Sequence, residues 1–123
     1  MNHALDNKTF VIVGGTTGLG LAAAKAFVSE GARVVVVGRN TESVAKAESA
    51  LGQAACGLAG DAINPQTTVE AINLAKLELG GFNGLYHVAG GSGRNMGDGP
   101  LHEISDDGWR QTIDLNLTSV FNS

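Results

Sequence analysis

The chain has 123 residues, 43% of them hydrophobic, and a formal net charge of -4, enough for one domain with a single ordinary core. Its charges are scattered and form no basic patch, which argues against nucleic acid or an anionic membrane as a partner. No apolar run approaches the ~20 residues of a transmembrane helix, and the first residues lack a signal-peptide design. One cysteine, Cys56, rules out an internal disulfide framework and suits a reducing cytoplasm. The three histidines (His3, His87, His102) lie far apart with no partner cysteine, so no metal site is expected. Glycine is the outlier: 18 residues, about twice the ordinary share of ~7%, clustered at 14–20 and 90–99.

Lys8 to Val13 reads as a short strand, apolar without a break from Phe10. Leu19, Ala22, Ala23, Ala26 and Phe27 then recur at helical spacing, and Gly31 is a natural stop. Arg33-Val-Val-Val-Val-Gly38 is a second strand without alternation, as expected for a parallel strand covered by helices on both faces. Asn40 or Thr41 caps a helix through Leu51, with Val44, Ala47 and Leu51 on its apolar face. Ala54 to Leu58 is a weaker third strand. Pro65 opens a helix over Gln66 to Leu79, whose apolar face includes Val69, Ile72 and Ala75. Gly84 to Val88 is the fourth strand, followed by a glycine-rich loop from Gly90 to Pro100. Ser105 caps a final helix that places Trp109, Ile113, Leu117, Val120 and Phe121 on one face. No stop signal precedes Ser123, so the chain reads as truncated.

Strand and helix alternate throughout, which builds a parallel sheet with crossover helices. Right-handed crossovers favour strand order 3-2-1-4. The expected fold is therefore α/β: a partial Rossmann (doubly wound) sheet of about four strands with helices on both faces, in one domain over 1–123.

The spacing Gly14-x-x-x-Gly18-x-Gly20 falls at the first strand-to-helix turn. There one glycine allows the reversal, one lets backbone approach a pyrophosphate, and one lets helix and strand pack closely. The helix start then aims free N–H groups and a positive dipole end at the phosphates. Strand two ends in Gly38-Arg39-Asn40 with no carboxylate. An acidic residue there would favour NAD through the ribose hydroxyls, whereas an arginine suits a 2′-phosphate. Arg39 stands either as that phosphate grip or as a solvated surface side chain.

These residues together resemble the N-terminal half of the short-chain dehydrogenase/reductases. The family's Thr-Gly-x-x-x-Gly-x-Gly is matched by Val13 to Gly20, with Val13 in the threonine's place. Its Asn-Asn-Ala-Gly is matched at Ala89 and Gly90, with His87 and Val88 replacing the asparagines. Its aspartate near the adenine corresponds to Asp61 in Gly60-Asp61-Ala62, and its catalytic-set asparagine to Asn116 in Asn116-Leu-Thr-Ser-Val-Phe121. The resemblance implies cofactor contacts at Gly14, Thr16, Thr17, Gly18, Leu19, Gly20, Arg39, Asn40, Asp61, Ala62, His87, Ala89 and Gly90. It also implies NADP(H) in preference to NAD(H), since Gly-Arg after strand two is common in NADPH-preferring members. Two positions stay open: His87 meets the cofactor ribose or packs, and Asp61 meets adenine or caps its loop.

The family's catalytic Ser and Tyr-x-x-x-Lys have no match here. Tyr86 is followed four residues on by Gly90 and reads as a buried strand tyrosine, Cys56 as a small core residue. Asn116, which in the family orders a water chain, is the only member of the set. The chain is thus expected to hold a nicotinamide dinucleotide without turnover, either as part of an alcohol/carbonyl oxidoreductase or as a stand-alone binding or self-assembling module. An open strand-four edge and the last helix predict a homo-oligomer.

Overall fold

In the computed structural model, which describes residues 3–123, β1 (Thr9–Val13) and β2 (Arg33–Gly38) form the middle of a four-stranded parallel sheet. β3 (Ala55–Ala59) flanks β2 and β4 (Gly84–His87) flanks β1, giving the order β3-β2-β1-β4. Phe10 lies opposite Val34 and Gly84, and Val13 opposite Val37 and His87. The valines of β2 and Val11 to Val13 of β1 are completely buried, because helices cover both faces and leave no position for a polar side chain.

Alternate residues feed two cores. Val11, Val13, Val35 and Val37 pack with Ala62 and with Ala71, Ala75 and Leu79 along α3 (Pro65–Glu78) and its end. Ile12, Val34 and Val36 pack on the other face with Ala24 of α1 (Gly18–Ser29) and Ala47 and Leu51 of α2 (Thr41–Leu51). The chain closes with α4 (Asp106–Ile113), a wide π-helical turn (Asp114–Thr118) and α5 (Ser119–Asn122). Asn122 Nδ2 donates to the carbonyls of Ala62 and Ile63, tying α5 to the loop after β3.

Several helix faces differ from the sequence expectation, in α1 and α3 because small residues make the close contacts. α1 buries Gly20 and Ala24, while Leu19 is 80% exposed. α3 buries Thr67, Thr68, Ala71 and Ala75 and leaves Val69 outside; threonine methyls do the packing that the pattern assigned to valine. The expected continuous stripe of the last helix is broken by the π turn, which adds a residue and rotates the helical turn beyond it. Trp109, Leu117, Val120 and Phe121 are exposed, and Gly108 and Ser119 are the buried positions. Tyr86 is 44% exposed instead of buried, because β4 is an edge strand. Its ring stacks 6.4 Å from that of Phe27, which packs edge-on against Phe10 at 5.0 Å. Cys56, expected in the core, sits partly buried on the outer strand β3.

Three helices start on side-chain caps. Asn40 Oδ1 accepts from Ser43 N at 3.0 Å, Asn64 Oδ1 from Gln66 N at 3.0 Å, and Ser105 Oγ from Gly108 N at 2.9 Å. Ser105→Ala is expected to cost about 1 kcal/mol, read as a fall of roughly 3–5 °C in the melting temperature by circular dichroism.

Candidate functional site

The carboxyl ends of all four strands open on one cleft of about 350 Å³. Its floor is the turn after β1: Gly14, Thr16, Thr17, Gly18, Leu19 and Gly20. Arg39 and Gly38 wall it from β2, Gly60, Asp61 and Ala62 from β3, and Val88, Ala89 and Gly90 from β4; Leu115 of the π turn closes one side. This is where ligands bind in open parallel α/β sheets, beyond the strand ends at the point where the strand order reverses.

The turn is built by backbone contact. Gly14 has φ +88°, and its amide and that of Gly15 donate to Val37 O at 2.9 and 3.1 Å. A Cβ on Gly14 would run into the amide of Ala89, and one on Gly20 would run into the carbonyl of Gly14. The turn, the start of α1 and the exit of β4 therefore meet with no side chain between them. Gly18, φ +52°, faces open space. Thr17, the residue before α1, makes no side-chain cap bond, unlike the residues that open α2, α3 and α4. The first helical amides have no partner inside a helix, so here they face the cleft with the positive end of the dipole behind them.

Beside the cleft, Arg39, Asn40 and Ser43 with Thr16 and Thr17 surround a second, open hollow. Among the described residues Arg39 takes part in no ion pair. Asn40 Oδ1 is committed to its cap, which leaves the Asn40 amide N–H groups, Arg39 and the hydroxyls of Ser43, Thr16 and Thr17 to meet a ligand. Asp61 does two things: it lines the cleft, and its Oδ1 accepts from Ile63 N at 3.0 Å, bracing its own loop.

Three of the sequence candidates do not line the cleft: Asn40, which borders only the neighbouring hollow, His87 and Asn116. The His87 ring turns away from it, with Nε2 2.9 Å from Ala89 O and Nδ1 2.7 Å from Ser123 Oγ. Asn116 clamps the glycine loop: Oδ1 accepts from Gly91 N at 2.9 Å, while Nδ2 donates to Gly91 O at 2.8 Å and Thr112 O at 3.0 Å. The extra width of the π turn lets a helical side chain reach that far. Tyr86 lies outside the cleft, in a groove with Phe10, Ala23, Phe27, Gly84 and Leu85.

The sequence reading did not count Val13, Val37, Gly38, Gly60, Val88 or Leu115 among the cofactor contacts, although it named Val13, Gly38, Gly60 and Val88 within the motifs; all six line the cleft. Gly38 carried a usable signal, being a glycine at the end of an otherwise valine strand; a Cβ there would strike the Thr16 hydroxyl. Leu115 carried none, since its position depends on the π turn. Burial, then the carboxylates of Glu78 and Glu48, push the Cys56 thiol above its usual range, which keeps it protonated and unreactive at neutral pH. Among the described residues no group of three or more His, Cys, Asp and Glu side chains could hold a metal, and no helix is long and apolar enough to cross a membrane.

Comparison with known proteins agrees with this geometry. The chain is 33% identical over 114 residues to serine 3-dehydrogenase of Agrobacterium fabrum, covering 93% of this chain and 45% of that protein. A short-chain type dehydrogenase/reductase from Mycobacterium ulcerans superposes with a TM-score of 0.86 at 31% identity, over 96% of this chain and 44% of that one. A short-chain dehydrogenase/reductase (glucose/ribitol dehydrogenase) from Brucella melitensis gives a TM-score of 0.87 at 29% identity, over 99% and 51%. The chain thus spans about half the length of the relatives it matches. With the short chain dehydrogenase family model matching residues 8–123, and the glycine turn, strand order and cleft all in place, the chain belongs to the short-chain dehydrogenase/reductase family.

Proposed function

We propose that residues 1–123 form the nicotinamide dinucleotide-binding N-terminal portion of an oxidoreductase that acts on an alcohol or carbonyl group. The observation that carries this is the cradle at Gly14 to Gly20: a turn bare of Cβ atoms, followed by a helix start with no side-chain cap. Such a surface fits a pyrophosphate, which needs close backbone approach and unpartnered amides. When bound, a nicotinamide dinucleotide supplies the hydride that a carbonyl reduction requires.

The chain's own residues bind and orient. The amides of Gly18, Leu19 and Gly20 meet the phosphates, and Asp61 and Ala62 border the adenine side. Ala89 and Gly90 border the opposite end, across β1 from Arg39. Arg39, with the Ser43 hydroxyl, grips a 2′-phosphate, so NADP(H) is preferred over NAD(H). Asn116 holds the Gly91 segment and moves no proton. Beside the reacting carbon a proton donor is needed, and Tyr86, the only tyrosine, lies outside the cleft. This chain by itself is therefore proposed to bind without turnover, in the reducing cytoplasm that its lone cysteine suits.

Titration of the purified chain with NADPH and NADH by calorimetry tests the reading. Saturable binding, tighter for NADPH and without reductase activity, is the expected result; binding of neither would overturn it.

A different surface, away from the cleft, supports self-association. β4 pairs on one side only, and Tyr86 with Phe10 and Phe27 borders an apolar groove along it; Trp109, Leu117, Val120 and Phe121 add exposed apolar area on the last helices. Edges and patches of this kind recruit a second copy. Light scattering at tens of micromolar is expected to give at least a dimer, shifted towards monomer by Tyr86→Lys. A monomeric wild type would overturn this part.

A further inference from the structure

We propose that His87 is a positioning residue for the cleft: it fixes the Ala89 carbonyl through Nε2, and so sets the wall that meets the ligand beyond the pyrophosphate. The inference rests on the dinucleotide reading, and adds to it a residue that lies outside the cleft.

The hydrogen-bond chemistry determines which nitrogen carries the proton. Ala89 O can only accept, so at 2.9 Å the Nε2 of His87 is the N–H donor. In the neutral ring Nδ1 is then an acceptor, and the Ser123 hydroxyl donates to it at 2.7 Å. Thr68 Oγ1 lies 3.5 Å from Ser123 Oγ and supplies a donor to it. Ser119, fully buried, donates to Leu115 O at 2.6 Å and keeps its lone pairs towards Nε2 at 3.4 Å. Every polar atom has a partner, and the ring is held between the end of β4 and the last helical turn.

The consequence falls on Gly90. Ala89 is fixed at both ends, its N–H donating to Val13 O at 3.0 Å and its carbonyl accepting from His87. Gly91 is fixed by Asn116 on the far side. Gly90, with no side chain to restrict it, is thus bracketed by two anchored peptides while its backbone lines the cleft. Without the His87 bond one anchor is lost and this wall samples more conformations, at an entropic cost to whatever binds against it. Because β2 and β4 lie on opposite sides of β1, the loss is felt at the end of the ligand remote from Arg39.

Two near-isosteric replacements separate the ring's two bonds. His87→Gln puts an amide near the Nε2 position and retains a donor for Ala89. His87→Asn puts one near the Nδ1 position, by Ser123, and does not reach Ala89. Calorimetric titration uses NADPH and, as a probe of the adenosine end alone, adenosine 2′,5′-bisphosphate; NADH with AMP replaces them where NADH binds more tightly. His87→Asn is expected to weaken the dinucleotide by roughly five- to tenfold, the loss of about one neutral hydrogen bond, and the adenosine probe by less than about twofold. His87→Gln is expected to hold both within about threefold. Equal losses for both ligands, or no loss in His87→Asn, would overturn the proposal, and thermal melts of each variant show whether the fold survives. Nitrogen-15 spectra of the wild-type histidines give an independent reading. An Nδ1–H tautomer at His87 overturns this proposal alone, whereas a wild type that takes no dinucleotide overturns the binding reading beneath it.

Discussion

Gly20→Ala is expected to destabilise the chain by about 2–3 kcal/mol and to weaken dinucleotide binding by more than tenfold. The added Cβ would land on the carbonyl of Gly14 and within 2.9 Å of Gly15 Cα. Neither atom can rotate away, since both belong to a turn whose amides are already bonded to Val37 O. The helix must therefore lift from the strand, and overpacking of this kind costs about 1–3 kcal/mol. Lifting α1 also moves its first amides away from the position a pyrophosphate would occupy, so binding falls along with stability. Thermal denaturation is expected to show a drop of about 8–12 °C. Gly18→Ala is the control. Its φ is positive at +52°, unlike that of Gly20, but it has nothing within 4 Å of the new methyl, so only backbone strain of about 1 kcal/mol is expected. Equal melting temperatures for the two variants would sink the close-approach explanation.

The contrast between these two glycines bears on what a sequence can reveal. The turn was legible because it needs several glycines at fixed offsets between a strand and a helix, and side chains cannot imitate that. The unalternating valines of β2 were legible for a similar reason, since only a strand covered on both faces reads that way. Helix orientation was less so. In α1, α3, α4 and α5 the buried face is set by glycine, alanine, threonine and serine, residues that a hydrophobicity pattern ranks low. Thr67 lies against Gly60, and Gly108 against the Gly97 carbonyl; each such contact depends on how the intervening loop folds back, which a periodic pattern does not carry. The π turn lies further from reach, because nothing in Asp114-Leu-Asn-Leu-Thr118 distinguishes it from an ordinary helix. Yet it decides that Asn116 meets the glycine loop and that Leu115 meets the cleft. His87 shows the same limit from another side. Its place at the end of β4 left a ligand contact and a packing role equally open, and the choice turns on partners as far along the chain as Ser123, 36 residues on.

Arg39→Ala is expected to reverse the cofactor preference. A guanidinium bonded to a dianionic phosphate contributes about 1.5–3 kcal/mol, so NADPH affinity should fall roughly ten- to hundredfold. NADH has a hydroxyl where NADPH has that phosphate, and its affinity should change by less than about threefold. Arg39 suits this role because it is exposed at the end of β2, has no carboxylate partner among the described residues, and shares its hollow with hydroxyls from both the glycine turn and α2. A strand-two carboxylate would have repelled the phosphate, and Gly38 occupies that place. Salt offers a second, independent readout. The Arg39 contribution is made at an open site, where ionic screening operates over ~10 Å at 0.1 M, so raising the salt should weaken NADPH more steeply than NADH in the wild type. In Arg39→Ala that difference should largely disappear. If the variant instead lost both cofactors equally, Arg39 would be supporting the end of β2, and the preference would have to reside elsewhere in the cleft.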